Sequence, residues 1–140
     1  MANERKEADV PSILKKDGVE HSIFDQKNKV KVNVNDIINN GCKTSFSHTL
    51  INTESNSATL ISQLPGEGNR RHYHSDWDEW WYILAGKWQI EIEGDIIIAE
   101  KDDVVLIQRG NKHQITAIGD EPAVRIAVSR YDVDHIYEEN

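Results

Sequence analysis

The sequence of 140 residues contains one cysteine, three prolines and no long apolar run. A single thiol, Cys42, cannot form an internal disulfide or a cysteine-rich zinc site. We expect it to be structural or inert, because no base or cation partner is evident near it in the sequence. Any metal would therefore have to be held by histidine and carboxylate side chains. No segment has the apolar length of a signal peptide or a membrane span, which predicts a cytoplasmic protein.

Positive charge is also scarce, with 16 Lys and Arg against 24 Asp and Glu and a net charge of -8. Nucleic acids and anionic membranes attract proteins through clustered Lys and Arg, so neither is an expected partner. The length fits a single domain. We expect an N-terminal arm that is partly ordered or contacts a dimer partner, then a barrel and an acidic tail, over residues 1–28, 29–130 and 131–140.

Much of the chain alternates apolar and polar residues with a period of two, which predicts β-strands. The first such stretch contains Val30, Val32 and Val34, and a turn follows at residues 39–41. Short extended runs, separated by turn residues, then lie at 45–52, 57–64, 70–74, 79–84, 89–93, 96–99, 104–108, 113–118 and 124–129. Many short strands without intervening helices predict an all-β sandwich or barrel, with an aromatic residue or two of the tail packed outside it.

Three histidines and one glutamate have spacings that suit a metal site. His72 and His74 are two residues apart in a predicted strand, so their imidazoles point to one face of the sheet. Glu79 opens the next strand, and His113 begins a later one. Three imidazoles and a carboxylate suit one divalent ion such as Fe, Mn, Ni, Co or Zn, and they leave coordination positions open for a substrate.

Other candidate ligands have weaker patterns. Asp78 competes with Glu79 for the carboxylate role, but the longer glutamate side chain crosses more easily from one strand to the next. His21, His48 and His135 have no comparable spacing, so we expect each of them to be exposed to solvent.

The region from residue 57 to residue 129 resembles the cupins, a family recognised by two sequence motifs. The first motif is complete, in the order Gly66, five residues, His72-Tyr73-His74, four residues, Glu79, six residues and Gly86. The second motif is matched at Gly110 and His113, and it departs from the usual Gly, Pro and Asn at Asp102, Gln108 and Ala117. These departures touch turns and strand ends rather than the ligand positions.

The resemblance implies a fold, a cofactor and an assembly. The implied fold is a double-stranded β-helix, or jelly-roll barrel, with a metal ion in its mouth. Such cupins are commonly homodimers that exchange N-terminal strands. The resemblance also implies that four residues are the metal ligands, namely His72, His74, Glu79 and His113.

Strand alternation predicts which other side chains line the barrel. Arg70 shares the inward face of His72, where its guanidinium would bind an anionic substrate, or it lies at the rim and pairs with an acidic residue. Trp81 and Ile83 share the face of Glu79 and are expected to line the substrate cavity.

The remaining candidates lie on turns and on the opposite face. Gln108 directs its amide toward the ligand or completes a turn. Trp80 and Tyr82 are expected at a sheet or subunit interface, and Tyr82 joins Glu79 as a candidate catalytic residue. Arg125 and Arg130 are expected at the surface, because Arg is seldom buried.

These features predict a metal-dependent enzyme that acts on a small, oxygenated and anionic substrate. Cupins with all three histidines and the glutamate resemble dioxygenases, which favours oxidoreductase chemistry. The stretch Arg70 to His74 also resembles cupin phosphomannose isomerases, so a sugar or sugar phosphate isomerase, an epimerase or a lyase is the first alternative. A non-catalytic small-molecule-binding cupin is the second.

Overall fold

The computed structural model describes residues 2–6, 20–21, 27–41, 45–130 and 134–138. Cys42 lies outside these ranges. The described elements are one helix and twelve strands, in the order β1 (Ala2–Lys6), β2 (Glu20–His21), α1 (Val34–Gly41), β3 (Phe46–Asn52), β4 (Ser57–Gln63), β5 (His72–Tyr73), β6 (Glu79–Ala85), β7 (Lys87–Ile92), β8 (Asp95–Glu100), β9 (Val104–Ile107), β10 (His113–Ile118), β11 (Ala123–Ser129) and β12 (Asp134–Glu138).

The strands form two six-stranded sheets. One sheet has the order β1-β12-β5-β10-β7-β8 and the other has the order β2-β3-β4-β11-β6-β9. Neighbouring strands are antiparallel, except that β2 runs parallel to β3. Consecutive strands therefore often lie in opposite sheets, which is the double-stranded β-helix that the sequence predicts.

The main core lies between the two sheets. Alternate side chains of β6, β7, β9 and β10 point into it, because successive residues of a strand face opposite sides. Its buried members are Trp81, Ile83, Trp88, Ile90, Ala99, Val105, Ile107, Ile115, Ala117 and Ala123.

A second apolar cluster packs helix α1 against the sheet that contains β3, β4 and β11. Ile37 of the helix is buried with Phe46, Leu50, Leu60 and Val124, which belong to β3, β4 and β11. The sheet that contains β11 is therefore covered on both faces near its centre.

The strand predicted at residues 30–34 is wrong. Val30 and Val32 are exposed, and the chain becomes helical from Val34 to Gly41. The side chain of Asn33 caps this helix by accepting a hydrogen bond from the main-chain N–H of Asp36 at 3.2 Å. Val34, Ile37 and Ile38 have helical spacing and pack on the sheet, so burial of this face overrides the local alternation.

The sequence predicts that an aromatic residue or two of the acidic tail packs outside the barrel, and this prediction is wrong for Tyr137. Strand β12 lies between β1 and β5, with Tyr137 opposite His72, and the ring of Tyr137 is fully buried. The three-part division of the chain stays a prediction. No helix in the described part of the chain has the length and hydropathy needed to span a bilayer.

Candidate metal centre

Three histidines meet at one end of the space between the sheets. His113 begins β10 directly opposite His72 of β5, and His74 follows β5 by one residue. The ring centroids of His72 and His113 are 4.3 Å apart. The ring centroid of His74 lies 5.1 Å from that of His72 and 5.2 Å from that of His113. One nitrogen of each ring lies within 4.8 Å of the others, and all three side chains are buried. The spacing therefore suits a shared metal ion, and we call these three residues the histidine cluster.

Main-chain carbonyl groups fix the tautomers of two cluster members. Nδ1 of His72 lies 2.7 Å from the carbonyl oxygen of Arg70, and Nδ1 of His113 lies 3.0 Å from that of Asn111. A carbonyl group only accepts, so each Nδ1 carries the proton and each Nε2 presents a lone pair. Metal-bound histidines are oriented in this way in proteins. Among the described residues, no hydrogen-bond partner lies within reach of Nε2 of His113.

Glu79 is the carboxylate that faces the cluster. Its Oε1 lies 3.0 Å from Nε2 of His74, and its Oε2 accepts a hydrogen bond from the indole N–H of Trp81. The competing Asp78 is exposed and accepts hydrogen bonds from the main chain and side chain of Arg109. Four potential ligands are thus brought together in the positions that the sequence predicts.

Burial sets the charge of this group. Burial lowers the pKa of His113 to about 4, against the opposing effects of the Asn111 carbonyl and Glu79, and it lowers the pKa of His72 well below its ordinary value, assisted by the neighbouring imidazoles. Burial alone would raise the pKa of Glu79, but the hydrogen bond and charge of His74 outweigh it and hold that pKa well below its usual range. The neutral imidazoles of His72 and His113 and the ionised carboxylate of Glu79 are in the protonation states that metal binding requires.

A fourth histidine was not expected here. His135 of β12 is buried, with its ring centroid 4.9 Å from that of His72 and 4.8 Å from that of His74. The prediction that it is exposed is wrong, and so is the same prediction for His48, which is buried on β3. The side chain of His21 lies outside the described residues. The two-residue interval between His135 and Tyr137 is the signal that they share a strand face.

A comparison with known families identifies the fold. The cupin domain family Cupin_2 matches residues 59–129, half of the chain. The chain is a cupin. This membership and the two-sheet architecture confirm the predicted double-stranded β-helix.

Two curated relatives match part of this cupin in sequence. The chain is 32% identical over 63 residues to the tetracenomycin polyketide synthase protein TcmJ of Streptomyces glaucescens, and this match spans 45% of the chain and 42% of TcmJ. The chain thus spans less than half the length of this curated relative, and the same holds for the polyketide synthase CurC of Streptomyces cyaneus, at 28% identity over 64 residues.

Solved structures share the same architecture. A conserved protein of Klebsiella pneumoniae with a double-stranded β-helix domain superposes with a TM-score of 0.66 at 15% identity, over 80% of this chain and all of that one. A provisionally assigned sugar phosphate isomerase of Acidithiobacillus ferrooxidans superposes with a TM-score of 0.53 at 26% identity, over 57% of this chain and 55% of that one.

The cupin barrel also contains an arginine that was expected at the surface. Arg125 is only 1% exposed and lies in the middle of β11, where the pairing with β6 shifts register between Val124 and Arg125. Ala123, Val124 and Arg125 are all buried in succession, because α1 covers one face of this sheet and the barrel interior covers the other. No simple alternation predicts such a strand. Arg130 forms an ion pair with Asp76 at 2.7 Å.

Two of the predicted cavity residues point inward. Trp81 and Ile83 are buried in the barrel core, as their shared face with Glu79 predicts. Arg70 is exposed, with its guanidinium carbon 4.5 Å from the centre of the Tyr137 ring. The roles of Arg70, Trp81 and Ile83 in substrate binding stay predictions.

The last three predicted residues lie outside the buried interior of the barrel. Gln108 is exposed, and its carbonyl oxygen accepts a hydrogen bond from the N–H of Asn111 in a turn. Tyr82 takes the face of β6 opposite Glu79, and its hydroxyl donates to Asp102 at 2.6 Å. Trp80, on the same face, is 43% exposed.

Proposed function

We propose that this chain is a metal-dependent cupin enzyme that acts on a small, oxygenated and anionic substrate by dioxygenase-type oxidoreductase chemistry. The observation that carries the proposal is the set of buried, neutral imidazoles with Nε2 of His72 and His113 directed to a shared point beside ionised Glu79. A divalent ion such as Fe or Mn, held by these residues and His74, would supply open coordination positions for a chelating substrate and dioxygen.

The protein's own residues favour this use of the site. Trp81 holds the Glu79 carboxylate through its indole N–H, which orients the carboxylate toward His74. The strand that begins at His113 continues into the apolar core, where Ile115 is buried opposite Ile90 of β7. Glu79 acts here as an ionised carboxylate ligand rather than as a strong base, because its pKa lies well below the usual range.

The first alternative is a sugar phosphate isomerase, an epimerase or a lyase. It is supported by the similarity to the Acidithiobacillus ferrooxidans protein. The arginines that suggested an anionic sugar give it less support, because Arg71 pairs with Glu91 and Arg70 stacks on Tyr137. The second alternative, a non-catalytic binding module, requires the same fold but no turnover.

Metal analysis and oxygen uptake separate these functions. We would purify the full chain without a metal-affinity tag, together with His72→Ala, His113→Ala and His48→Ala, and reconstitute each with Fe(II) under anaerobic conditions. His48 is the matched control, since it is also buried but lies outside the histidine cluster.

We expect about one iron or manganese ion per wild-type and His48→Ala chain, none in the two cluster variants, and oxygen consumption with an oxygenated acid. Zinc, nickel or cobalt without oxygen uptake would favour the isomerase or lyase. Ligand-induced stabilisation without product would favour the binding module. Equal metal content in all four proteins would contradict the metal site.

We also propose that the protein is a cytoplasmic homodimer. The support for the dimer is an exposed apolar patch on the outer face of β6 and β9, where Trp80 lies opposite Leu106 and near Val104. Exchange of N-terminal strands between the two subunits stays a prediction.

A further inference from the structure

Three buried side chains in the barrel form a second polar group, beside the histidine cluster. Gln63 of β4, Trp88 of β7 and Arg125 of β11 are each 1% exposed or less. We call them the inner donor cluster. Charged and amide side chains are costly to bury without partners, so their position inside the barrel calls for an explanation.

Arg125 is held in place by its neighbours. Its Nη1 donates a hydrogen bond to Oε1 of Gln63 at 3.0 Å, and its guanidinium carbon lies 4.5 Å from the Trp88 ring centre and 5.1 Å from that of Trp81. An arginine only donates, so this bond fixes the orientation of the Gln63 amide and leaves its NH2 group directed elsewhere. The guanidinium is therefore pre-oriented between two indole rings.

The inner donor cluster offers hydrogen-bond donors without acceptors. Within the described residues, no acceptor lies within reach of Nε of Arg125, Nε2 of Gln63 or the indole nitrogen of Trp88. All three atoms are donors at neutral pH, because burial lowers the pKa of Arg125 only to about 10, with Glu79 opposing the shift. Three buried donors of one kind indicate an oxygen-rich, negatively charged ligand rather than a cation.

Trp81 links this group to the histidine cluster. One face of its ring contacts Arg125, its N–H donates to Glu79, and its ring centroid lies 5.9 Å from that of His113. A ligand on the inner donor cluster would therefore lie about one indole ring away from the histidines. This separation fits a molecule of a few carbon atoms.

We propose that the inner donor cluster binds the carboxylate of a small organic acid whose other oxygen atoms reach the histidine cluster. The contact with the histidine cluster rests on the proposed function, whereas the contact between the carboxylate and the inner donor cluster depends on Arg125, Gln63 and Trp88 alone. Arg125 supplies one positive charge, and ionised Glu79 near it would repel a doubly charged ligand more strongly than a singly charged one, which favours a carboxylate over a phosphate dianion. Anion binding is thereby placed on Arg125, which was expected at the surface, rather than on Arg70.

The test uses the full chain, both free of metal and loaded with Fe(II). Glycolate, pyruvate, succinate, benzoate, methyl pyruvate and inorganic phosphate would be titrated while thermal stability and tryptophan fluorescence are recorded. We expect at least one carboxylate to stabilise the metal-free protein and to change the fluorescence of the two stacked indoles, with no effect of the ester or of phosphate.

Variants locate the binding to the inner donor cluster. Arg125→Met keeps an unbranched side chain without the charge and should abolish the carboxylate effect. Trp88→Phe keeps an aromatic ring but loses the indole N–H, which should weaken binding about tenfold. Arg130→Met, at the exposed ion pair with Asp76, is the control and should bind as the wild type does.

The outcomes separate this proposal from the proposed function. Carboxylate binding that needs Arg125, in a protein that takes up no metal, would support the inner donor cluster and contradict the metal-dependent enzyme. Three results, each in a protein that does take up metal, would overturn the inner donor cluster as a carboxylate site. They are carboxylate binding that is unchanged in both Arg125→Met and Trp88→Phe, a preference for phosphate, and the absence of any carboxylate effect in the wild type.

Discussion

His72 and His113 combine burial with a main-chain hydrogen bond at Nδ1, and the two features act on different properties. Burial keeps the rings uncharged, because a charged imidazole loses its hydration inside the barrel. The hydrogen bond selects the tautomer and orients the ring. Together they leave Nε2 available without any rearrangement, so a metal ion would meet a site that is already formed.

The same burial predicts how stability depends on pH in the metal-free protein. The pKa of His113 is about 4 in the folded chain and about 6.5 in the unfolded chain. Between these values the unfolded chain binds the extra proton, so the free energy of unfolding falls as pH is lowered from about 6.5 to about 4, on the order of 3 kcal/mol for this residue.

Urea unfolding across this pH range, with a chelator present, measures the effect. His113→Gln does not titrate and should have a shallower dependence on pH, whatever its absolute stability. Identical slopes for the variant and the wild type would show that His113 is not held neutral by burial.

At the scale of elements, the turn between β6 and β7 lies close against the start of β11. Gly86 occupies the turn with a φ of +69°, and a Cβ atom there would lie 2.6 Å from Cα of Ala123 and 2.6 Å from the carbonyl oxygen of Pro122. Gly110 also has a positive φ, of +82°, but open space surrounds it. The first cupin motif therefore requires glycine here for two reasons, conformation and space.

We expect Gly86→Ala to destabilise the protein more than Gly110→Ala does. Both substitutions carry the cost of a left-handed alanine, about 1–2 kcal/mol. Only Gly86→Ala must also move the backbone of β11, which adds about 1–3 kcal/mol. Chemical denaturation of the two variants measures the difference, and equal losses would contradict the close contact.

Strand β12 is an element that shapes the site. It pairs with β5, and it brings Tyr137 and His135 against the ring of His72. Without β12, strand β5 would be an exposed edge with a single partner, β10.

Removal of residues 131–140 should therefore weaken metal binding by about tenfold or more, since supporting contacts orient the ligands. Competition with a chromophoric chelator measures the affinity. A chain that lacks only residues 139–140 keeps β12 and serves as the control. Unchanged affinity in the shorter chain would mean that β5 holds its histidines without this support.

At the scale of the whole molecule, the outer surface combines a net charge of -8 with exposed apolar side chains. Trp80, Val104 and Leu106 form a patch on β6 and β9, and Ile96, Ile97 and Ile98 are exposed on the edge strand β8. Exposed apolar residues of this size commonly mark protein contacts. The proposed homodimer would bury the patch on β6 and β9.

We expect Trp80→Arg to raise the dimer dissociation constant more than tenfold, because it places a charge in an apolar interface. Light scattering at micromolar concentrations measures the mass. Ile51→Arg changes an exposed apolar residue on β3 and should leave the dimer intact. A monomeric wild type, or equal effects of both substitutions, would contradict this interface.

The amino-acid sequence by itself determined most strands from residue 45 to residue 129 and the positions of the histidine cluster and Glu79. These features depend on local rules: alternation along a strand, turn residues between strands, and fixed intervals within the first cupin motif. Trp81 and Ile83 were placed in the core by the same alternation.

Only the tertiary structure decided the helix at Val34–Gly41, the inward position of β12 with His135, and the burial of Arg125. Each depends on a surface supplied by a distant part of the chain. The helix packs on β3, β4 and β11, β12 completes the sheet beside β5, and Arg125 is held by Gln63 and two tryptophans. Local patterns do not record which faces another element will cover, so they could not predict these three features.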